Sequence, residues 1–324
     1  MKSIVKKIGF NIFEYQNKRL AKKKVMALSR LPSLKEITLI DIGAAGNIEP
    51  RWKAIEPYLN YVGFEPDDRS RKMLLKQKNS CRSYTLYPYA LWVNSGTVKL
   101  NLCKKPQVSS VFSPNMKFIN LFPDSERYNI VKQVEVRTKR LDSLQIKNTD
   151  FIKLDIQGAE LSVLRGSEAT LESALGLEIE VSFLPSYNKQ PLFGDIASLL
   201  STKGFEFVDF VNLCRWERKA VNSFGQCVFG DALFLKSPEK IVLEENVTNK
   251  RLSSYFGVLL LYKRFDLIEQ TFTYLTPSQR KMYGKFKELI VPLKKSHETA
   301  RKINYLSDKI ARMADSDIRS WLLY

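Results

Sequence analysis

Residues 37–46 read Ile-Thr-Leu-Ile-Asp-Ile-Gly-Ala-Ala-Gly, a β-forming run that passes without a linker into a turn of glycine and alanine. Five of its first six residues are Ile, Leu or Thr, with no regular polar alternation, so both faces of such a strand must be covered. A strand covered on both faces belongs in the middle of a parallel sheet with helices on either side. The turn that follows has almost no side chains, so a ligand can approach the backbone closely at the strand's carboxyl end, where open α/β sheets bind their ligands.

The chain downstream has the periodicity this requires. Short β-rich runs at Tyr61–Glu65, Tyr84–Leu91, Phe151–Ile156 and Leu175–Val181 complete the expected main parallel set. Val98–Leu102 and Val134–Thr138 add further strands, and Phe205–Phe210 and Ala232–Leu235 close the sheet after a long connection. Helices are predicted from Asp67 as cap to about Lys78, from Glu160 through Leu175, and over Gly194–Lys203, where Gly204 stops the last. The expected fold is therefore α/β, a mostly parallel sheet of the seven-stranded type over 37–237, flanked by basic helical extensions at 1–36 and 238–324.

Charge is concentrated in those extensions. The chain of 324 residues has a formal net charge of +18, and residues 1–36 alone hold ten Lys or Arg against Glu14 and Glu36. Apolar residues from Ile4 to Leu28 recur among the lysines at helical spacing, an amphipathic pattern that can dock on its own domain or on an anionic membrane surface. Residues 238–324 read as helical and basic, with Tyr255–Phe272 and Ser278–Ile290 the plainest helices and no pattern that carries chemistry. Four cysteines without a CxxC pair argue against a disulfide scaffold or a zinc site. No secretory signal or membrane-spanning run is visible, so the expected location is cytoplasmic, with peripheral contact at the inner membrane face through the basic N-terminus.

Three segments carry candidate chemistry. Asp41, Gly43, Ala44 and Gly46 form the first turn. Gly63-Phe-Glu-Pro66 ends a second strand in Glu65, and a carboxylate there can accept both hydroxyls of a ribose. The pair fits any adenosine ligand, but DIGAAG in place of GxGxxG favours one with an amino-acid end, such as S-adenosylmethionine, over a dinucleotide pyrophosphate. The third segment, Phe151-Ile-Lys-Leu-Asp-Ile-Gln-Gly-Ala-Glu160, places Lys153 within a strand and Asp155 near its end, where buried charge is costly. Asp155, Glu178, Glu180 and Asp231 are the candidate proton acceptors or, as a pair, cation ligands, with Asp155 first; Glu178 and Glu180 serve equally well as ion-pair partners of Lys153. The single histidine, His297, lies far along the chain and leaves no Ser-His-Asp arrangement.

In order and spacing, DIGAAGN at 41–47, GFEP at 63–66, RLDSL at 140–144, FIKLDIQGAELSVLRG at 151–166 and LEIEV at 177–181 resemble the FkbM family of S-adenosylmethionine-dependent methyltransferases. The resemblance spans about 37–237 and neither extension. It implies a Rossmann-like methyltransferase fold and methyl transfer to a hydroxyl of a sugar, surface glycan or related small molecule, as in polysaccharide biosynthesis. It also implies that Asp41, Gly43, Ala44 and Gly46 meet the methionine part, Glu65 and Pro66 the ribose, and Ala90 and Leu91 the adenine. Asp155, with Lys153 and Glu180, would stand at the reacting centre. The turn departs from the pattern after Asn47, where Pro50 and Pro57 limit the usual helix. The rival classes are an oxidoreductase, which lacks its GxGxxG; a basic module binding membrane or nucleic acid, which leaves Asp41, Glu65 and Asp155 unexplained; and a nucleic-acid methyltransferase, which a near-neutral core disfavours.

Overall fold

The computed structural model describes residues 22–46, 48–219, 224–244 and 247–314. A seven-stranded sheet runs through its centre, built from β1 (Ile37–Ile42), β2 (Leu59–Phe64), β3 (Ser83–Tyr87), β7 (Phe151–Leu154), β8 (Gly176–Ser182), β9 (Glu206–Trp216) and β10 (Gln226–Leu235) in the order β3-β2-β1-β7-β8-β10-β9. All pairs are parallel except those of β10, which runs antiparallel to both β8 and β9. A second sheet of three strands, β4 (Ala90–Leu91), β5 (Gly96–Cys103) and β6 (Ile130–Lys139), is ordered β4-β6-β5.

β1 is buried at all six positions, as its apolar run requires, and splits its residues between two cores by the two-residue period of a strand. Ile37 and Leu39 join the helical layer of 249–293 on one face. Ile40 and Ile42 pack with Val163, Leu164, Ile196 and Leu200 of the helices at Glu160–Arg165 and Phe193–Thr202 on the other. Helix Asn249–Leu261, expected only as part of a terminal extension, lies directly under the central strand: a Cβ at Gly257 would sit 3.2 Å from Ile37 Cδ1. Tyr255, Phe256, Val258, Leu259 and Leu260 are each fully buried there. Residues 249–293 thus supply one covering layer of the sheet. Residues 22–28 form a helix whose Ala27 and Leu28, with Leu31 just beyond it, enter the same core. The earlier part of the amphipathic pattern, through residue 21, lies outside the described residues. Among the described residues no helix is long and apolar enough to cross a membrane.

Several expected elements break where local chemistry dictates. The run Tyr84–Leu91 divides after Tyr87, because Pro88 has no N–H for a ladder, and its last two residues leave the main sheet to pair with β6. The helix expected from Glu160 to Leu175 breaks at Gly166, where the Trp92 carbonyl approaches to 2.5 Å of any added Cβ, and resumes as Glu168–Ser173. Tyr255–Phe272 is two helices, Asn249–Leu261 and Phe265–Tyr274, separated by Lys263 at φ +56°. The closing strands are longer than expected and pair along most of their length as an antiparallel hairpin.

Candidate functional site

At the carboxyl ends of β1, β2 and β7 lies a cleft open to solvent on one side, the place where open α/β sheets bind their ligands. Gly43 forms its floor at φ +82°, and a Cβ there would fall 1.8 Å from the Asp155 carbonyl oxygen, so the β1 and β7 ends meet only because this residue is glycine. The N–H groups of Gly43 and Ala44 both donate to the Phe64 carbonyl, at 3.0 and 3.1 Å, and that of Gly46 to the Ala44 carbonyl at 2.8 Å. The turn's amides therefore hold the β1 and β2 ends together. Gly43 and Ala45 line the cleft, while Ala44 and Gly46 do not.

The β2 end contributes Glu65, Pro66 and Asp67. Glu65 is 4% exposed, and its Oε1 accepts the Asp67 N–H at 2.7 Å. Burial pushes its carboxyl up to about 7, against the lowering effect of that hydrogen bond. Asp67 caps the helix Asp68–Leu74 by accepting the Arg69 N–H at 2.9 Å and holds the Arg69 guanidinium as well. Ala90 and Leu91 of β4, with Trp92, Leu100 and Val111, form a largely apolar side wall. The insertion of β4 into the second sheet is what brings this wall to the cleft.

The inner end is made by Asp155, Ile156 and Gln157. Gln157 stands in the left-handed region at φ +62°, followed by Gly158 at +105°, which turns its side chain back across the strand ends. Its Nε2 donates to Asp155 Oδ1 at 2.9 Å and to Glu180 Oε1 at 3.0 Å. Its Oε1 lies 3.0 Å from the Tyr187 hydroxyl, and its backbone carbonyl accepts the Ser110 hydroxyl at 2.7 Å. Glu180 is held well above the ordinary carboxylate range by burial, reinforced by the nearby Asp155, Glu160 and Asp231. Asp231, register partner of Glu180 across β8 and β10, is pushed up to about 6, first by burial and then by Asp155. Glu160 pins the turn: its Oε1 accepts the Ile156 and Gly158 N–H groups at 3.0 and 3.1 Å.

Besides Ala44 and Gly46, the expected residues Asp41, Lys153 and Glu178 are placed elsewhere, and Glu180 stands behind Gln157 without lining the cleft itself. The Asp41 carboxylate does not line the cleft: it accepts the Tyr61 hydroxyl at 2.8 Å and lies 3.8 Å from the Lys153 ammonium, its register neighbour on β7. Lys153 is thereby a strut between strands. Burial alone would lower its ammonium, but Asp41, Asp155 and Glu178 together hold it above its usual value. Glu178 pairs with Arg51 at 3.1 Å and accepts the Tyr262 hydroxyl, away from the cleft. His297 packs on Phe265 with ring centroids 5.5 Å apart. Among the described residues no group of three or more His, Cys, Asp or Glu side chains is arranged to hold a metal ion. Sequence reasoning did not single out Gln157 or Tyr187, and gave Asp67 only as a helix cap. Gln157 alone had a signal, as a polar residue directly before the glycine of the third motif.

Residues 47–207 match the family model described as the methyltransferase FkbM domain. The match begins just after the β1 turn and ends within β9, so Asp231 and the layer of 249–293 fall beyond it. Solved structures similar in fold include methyltransferase FkbM from Methylobacillus flagellatus KT, 14% identical over 62% of this chain and 44% of that one, with a TM-score of 0.38. This chain therefore spans less than half of that protein. Magnesium protoporphyrin IX methyltransferase from Synechocystis PCC 6803 is 9% identical over 68% of this chain and 80% of that one, at a TM-score of 0.32. A putative RNA methyltransferase from Pyrococcus horikoshii is 10% identical over 68% and 84% respectively, at 0.31. No protein of curated function matches the sequence.

Proposed function

We propose that this chain, whose residues 47–207 belong to the methyltransferase FkbM domain family, methylates a hydroxyl oxygen of a sugar, surface glycan or related small molecule. It is an S-adenosylmethionine-dependent methyltransferase by family, and the acceptor is the proposal. The observation that carries it is the Asp155–Gln157–Glu180 arrangement, whose Asp155 and Gln157 line the same cleft as Glu65. A hydroxyl must lose its proton as it is methylated, and a partly buried carboxylate held in one orientation at the cleft end is suited to accept it.

The cleft fits S-adenosylmethionine in its donor set. Glu65 offers a buried carboxylate to the ribose hydroxyls, the wall of Ala90, Leu91 and Trp92 offers apolar surface to the base, and Gly43 lets the β1 and β7 ends close together at the cleft floor. When bound, the cofactor supplies an electrophilic methyl group on a sulfonium. The protein's own contribution is positioning and proton transfer. Asp155 accepts the hydroxyl proton, and Gln157 fixes its rotamer from one side. Burial and the neighbouring carboxylates push Glu180 toward its neutral form, which lessens the repulsion its charge would exert on Asp155. Lys153 supports the same strand end from behind.

The basic N-terminal segment is proposed to hold the enzyme at an anionic membrane surface. Val25 and Met26 remain exposed on the 22–28 helix beside Lys22 and Lys23, which supports this reading. Flotation with anionic vesicles should fall when residues 2–21 are removed, and unchanged flotation would end the idea. For the main reading, the protein is incubated with methyl-labelled S-adenosylmethionine and panels of sugars, oligosaccharides and tRNA. Label on a sugar oxygen, lost in Asp155→Asn, supports it; label on tRNA alone overturns it.

A further inference from the structure

The charge of the α/β core is unevenly placed. Residues 96–139, which form β5, β6 and the stretch between them, hold eight Lys or Arg against Asp124, Glu126 and Glu135, a net of +5, whereas the rest of 37–237 nets −1. The end of β9 and the residues after it extend this basic surface with Arg215, Arg218 and Lys219 against Glu217.

Four apolar side chains project from the same surface: Leu121 is 40% exposed, Ile130 42%, Val131 61% and Phe224 56%. Trp216 draws together the three segments that carry them. It packs on Phe122, the neighbour of Leu121, with ring centroids 5.3 Å apart, and on Tyr128, two residues before Ile130, at 6.1 Å. Gln226, its register partner on β10, stands two residues after Phe224. The Arg215 guanidinium lies 4.3 Å from the centre of the Phe224 ring, and the Lys219 N–H bonds to the Leu121 carbonyl. Val131 is the extra residue of a bulge between the Cys103–Ile130 and Leu102–Lys132 pairs, which takes it out of the strand's regular alternation. Lysines flank these tips. Lys132 follows Val131, and the N–H groups of Lys104 and Lys105 donate to the Asn129 and Arg127 carbonyls just before Ile130; all three lysines are exposed. Lys104 and Lys105 lead directly into the 106–111 segment that walls the cleft, so the surface borders the cleft.

Exposed apolar side chains grouped in this way mark a contact surface, and the lysines around them call for a partner that is anionic as well as apolar. An anionic bilayer is both: aliphatic tips enter the headgroup–acyl boundary while lysines meet the phosphates. Nucleic acid offers the charge, but its single strands stack on aromatic faces, and three of the four projecting side chains are aliphatic. We propose that this surface docks on an anionic lipid bilayer, separately from the N-terminal segment. The docking stands without the methyl-transfer reading; taken together with it, the acceptor is one presented at the bilayer beside the cleft.

The test uses the full chain, so that the N-terminal segment is the same in every protein. Sedimentation is measured with vesicles of phosphatidylglycerol and phosphatidylcholine in equal parts, with phosphatidylcholine alone, and with tRNA as competitor. Wild type should bind the anionic vesicles. The triple variant Lys104→Gln, Lys105→Gln, Lys132→Gln should bind them more weakly by about fivefold for each lysine, about a hundredfold in all. The double variant Val131→Ser, Phe224→Ser should lose about tenfold or more. Phe224→Trp should add emission that brominated phospholipid quenches. All variants should keep the wild-type affinity for S-adenosylhomocysteine, which shows that they are folded. Wild type that does not bind the vesicles, vesicle binding unchanged in both multiple variants, no quenching in Phe224→Trp, or a surface that takes tRNA in preference to vesicles overturns the proposal. Failure of wild type to bind S-adenosylhomocysteine would instead overturn the methyltransferase reading and leave the docking result in place.

Discussion

The half of the cleft proposed for the cofactor draws most of its lining from three short segments, 42–45, 64–67 and 90–92, two of them the direct continuation of a central strand and the third carried on β4. The half proposed for the acceptor is lined by Asp155 and Gln157 and backed by Glu180 and Tyr187, which come from separate stretches of chain brought together by β7, β8 and the loop after β8. The first half is held mainly by backbone bonds such as those from Gly43 and Ala44 to Phe64; the second is held by side chains. A site half held by backbone should tolerate side-chain change with graded losses of affinity. One held by a side-chain network should lose rate while keeping its ligand.

The largest effect is expected where the halves touch. Gly43→Ala places a methyl group 1.8 Å from the Asp155 carbonyl in a left-handed conformation, so both S-adenosylhomocysteine binding and turnover should disappear. Thermal unfolding should shift down by several degrees, corresponding to about 2 kcal/mol or more. Retained binding in calorimetry would show that the β1 and β7 ends are not locked together.

Asp155→Asn separates the halves. Turnover should fall by about a hundredfold or more, the usual cost of losing a general base, while the S-adenosylhomocysteine dissociation constant changes only a few-fold. If affinity collapses with rate, Asp155 belongs to the cofactor half.

Glu65→Gln probes the other half. The ionised carboxylate is the better acceptor for two hydroxyls, and burial raises its titration to about 7, so wild-type affinity should weaken as pH falls from 8 to 6, by about tenfold. In Glu65→Gln affinity should be lower by about 2 kcal/mol at pH 8 and flat across that range. The sign for stability is opposite: a carboxyl titrating higher in the folded chain than in the unfolded one stabilises the fold at low pH, and that contribution is lost as pH rises through about 7. The wild type should therefore lose stability relative to the variant over the same interval.

The smallest effect is a displacement. Gln157→Glu exchanges the amide between Asp155 and Glu180 for a third carboxyl group, which should move the acidic limb of the pH–rate profile upward by about one unit with little change at high pH. An unmoved limb would mean that the Gln157 contact does not govern the base.

What could be read in advance follows the same division. The β1 run, its small-residue turn, Glu65 and the third motif are contiguous in the chain, and their place at the strand ends was legible there. The role given to Asp41 was not, because nothing local tells that Tyr61 and Lys153 will occupy its carboxylate from neighbouring strands. Nor was the splitting of Tyr84–Leu91 between two sheets, which delivers Ala90 and Leu91 to the cleft.

The parallel α/β core, the resemblance of residues 47–207 to the FkbM methyltransferase domain and a cleft at the ends of β1 and β2 were legible in the chain alone, since they rest on contiguous residues: apolar runs, small-residue turns and glycine at one backbone position. Which carboxylates face the cleft and which are tied up in struts, and that residues 249–293 cover one face of the sheet, emerged only from the packed fold. Those outcomes depend on partners distant in sequence, and a side chain's solvation and charge are settled only when its neighbours are known.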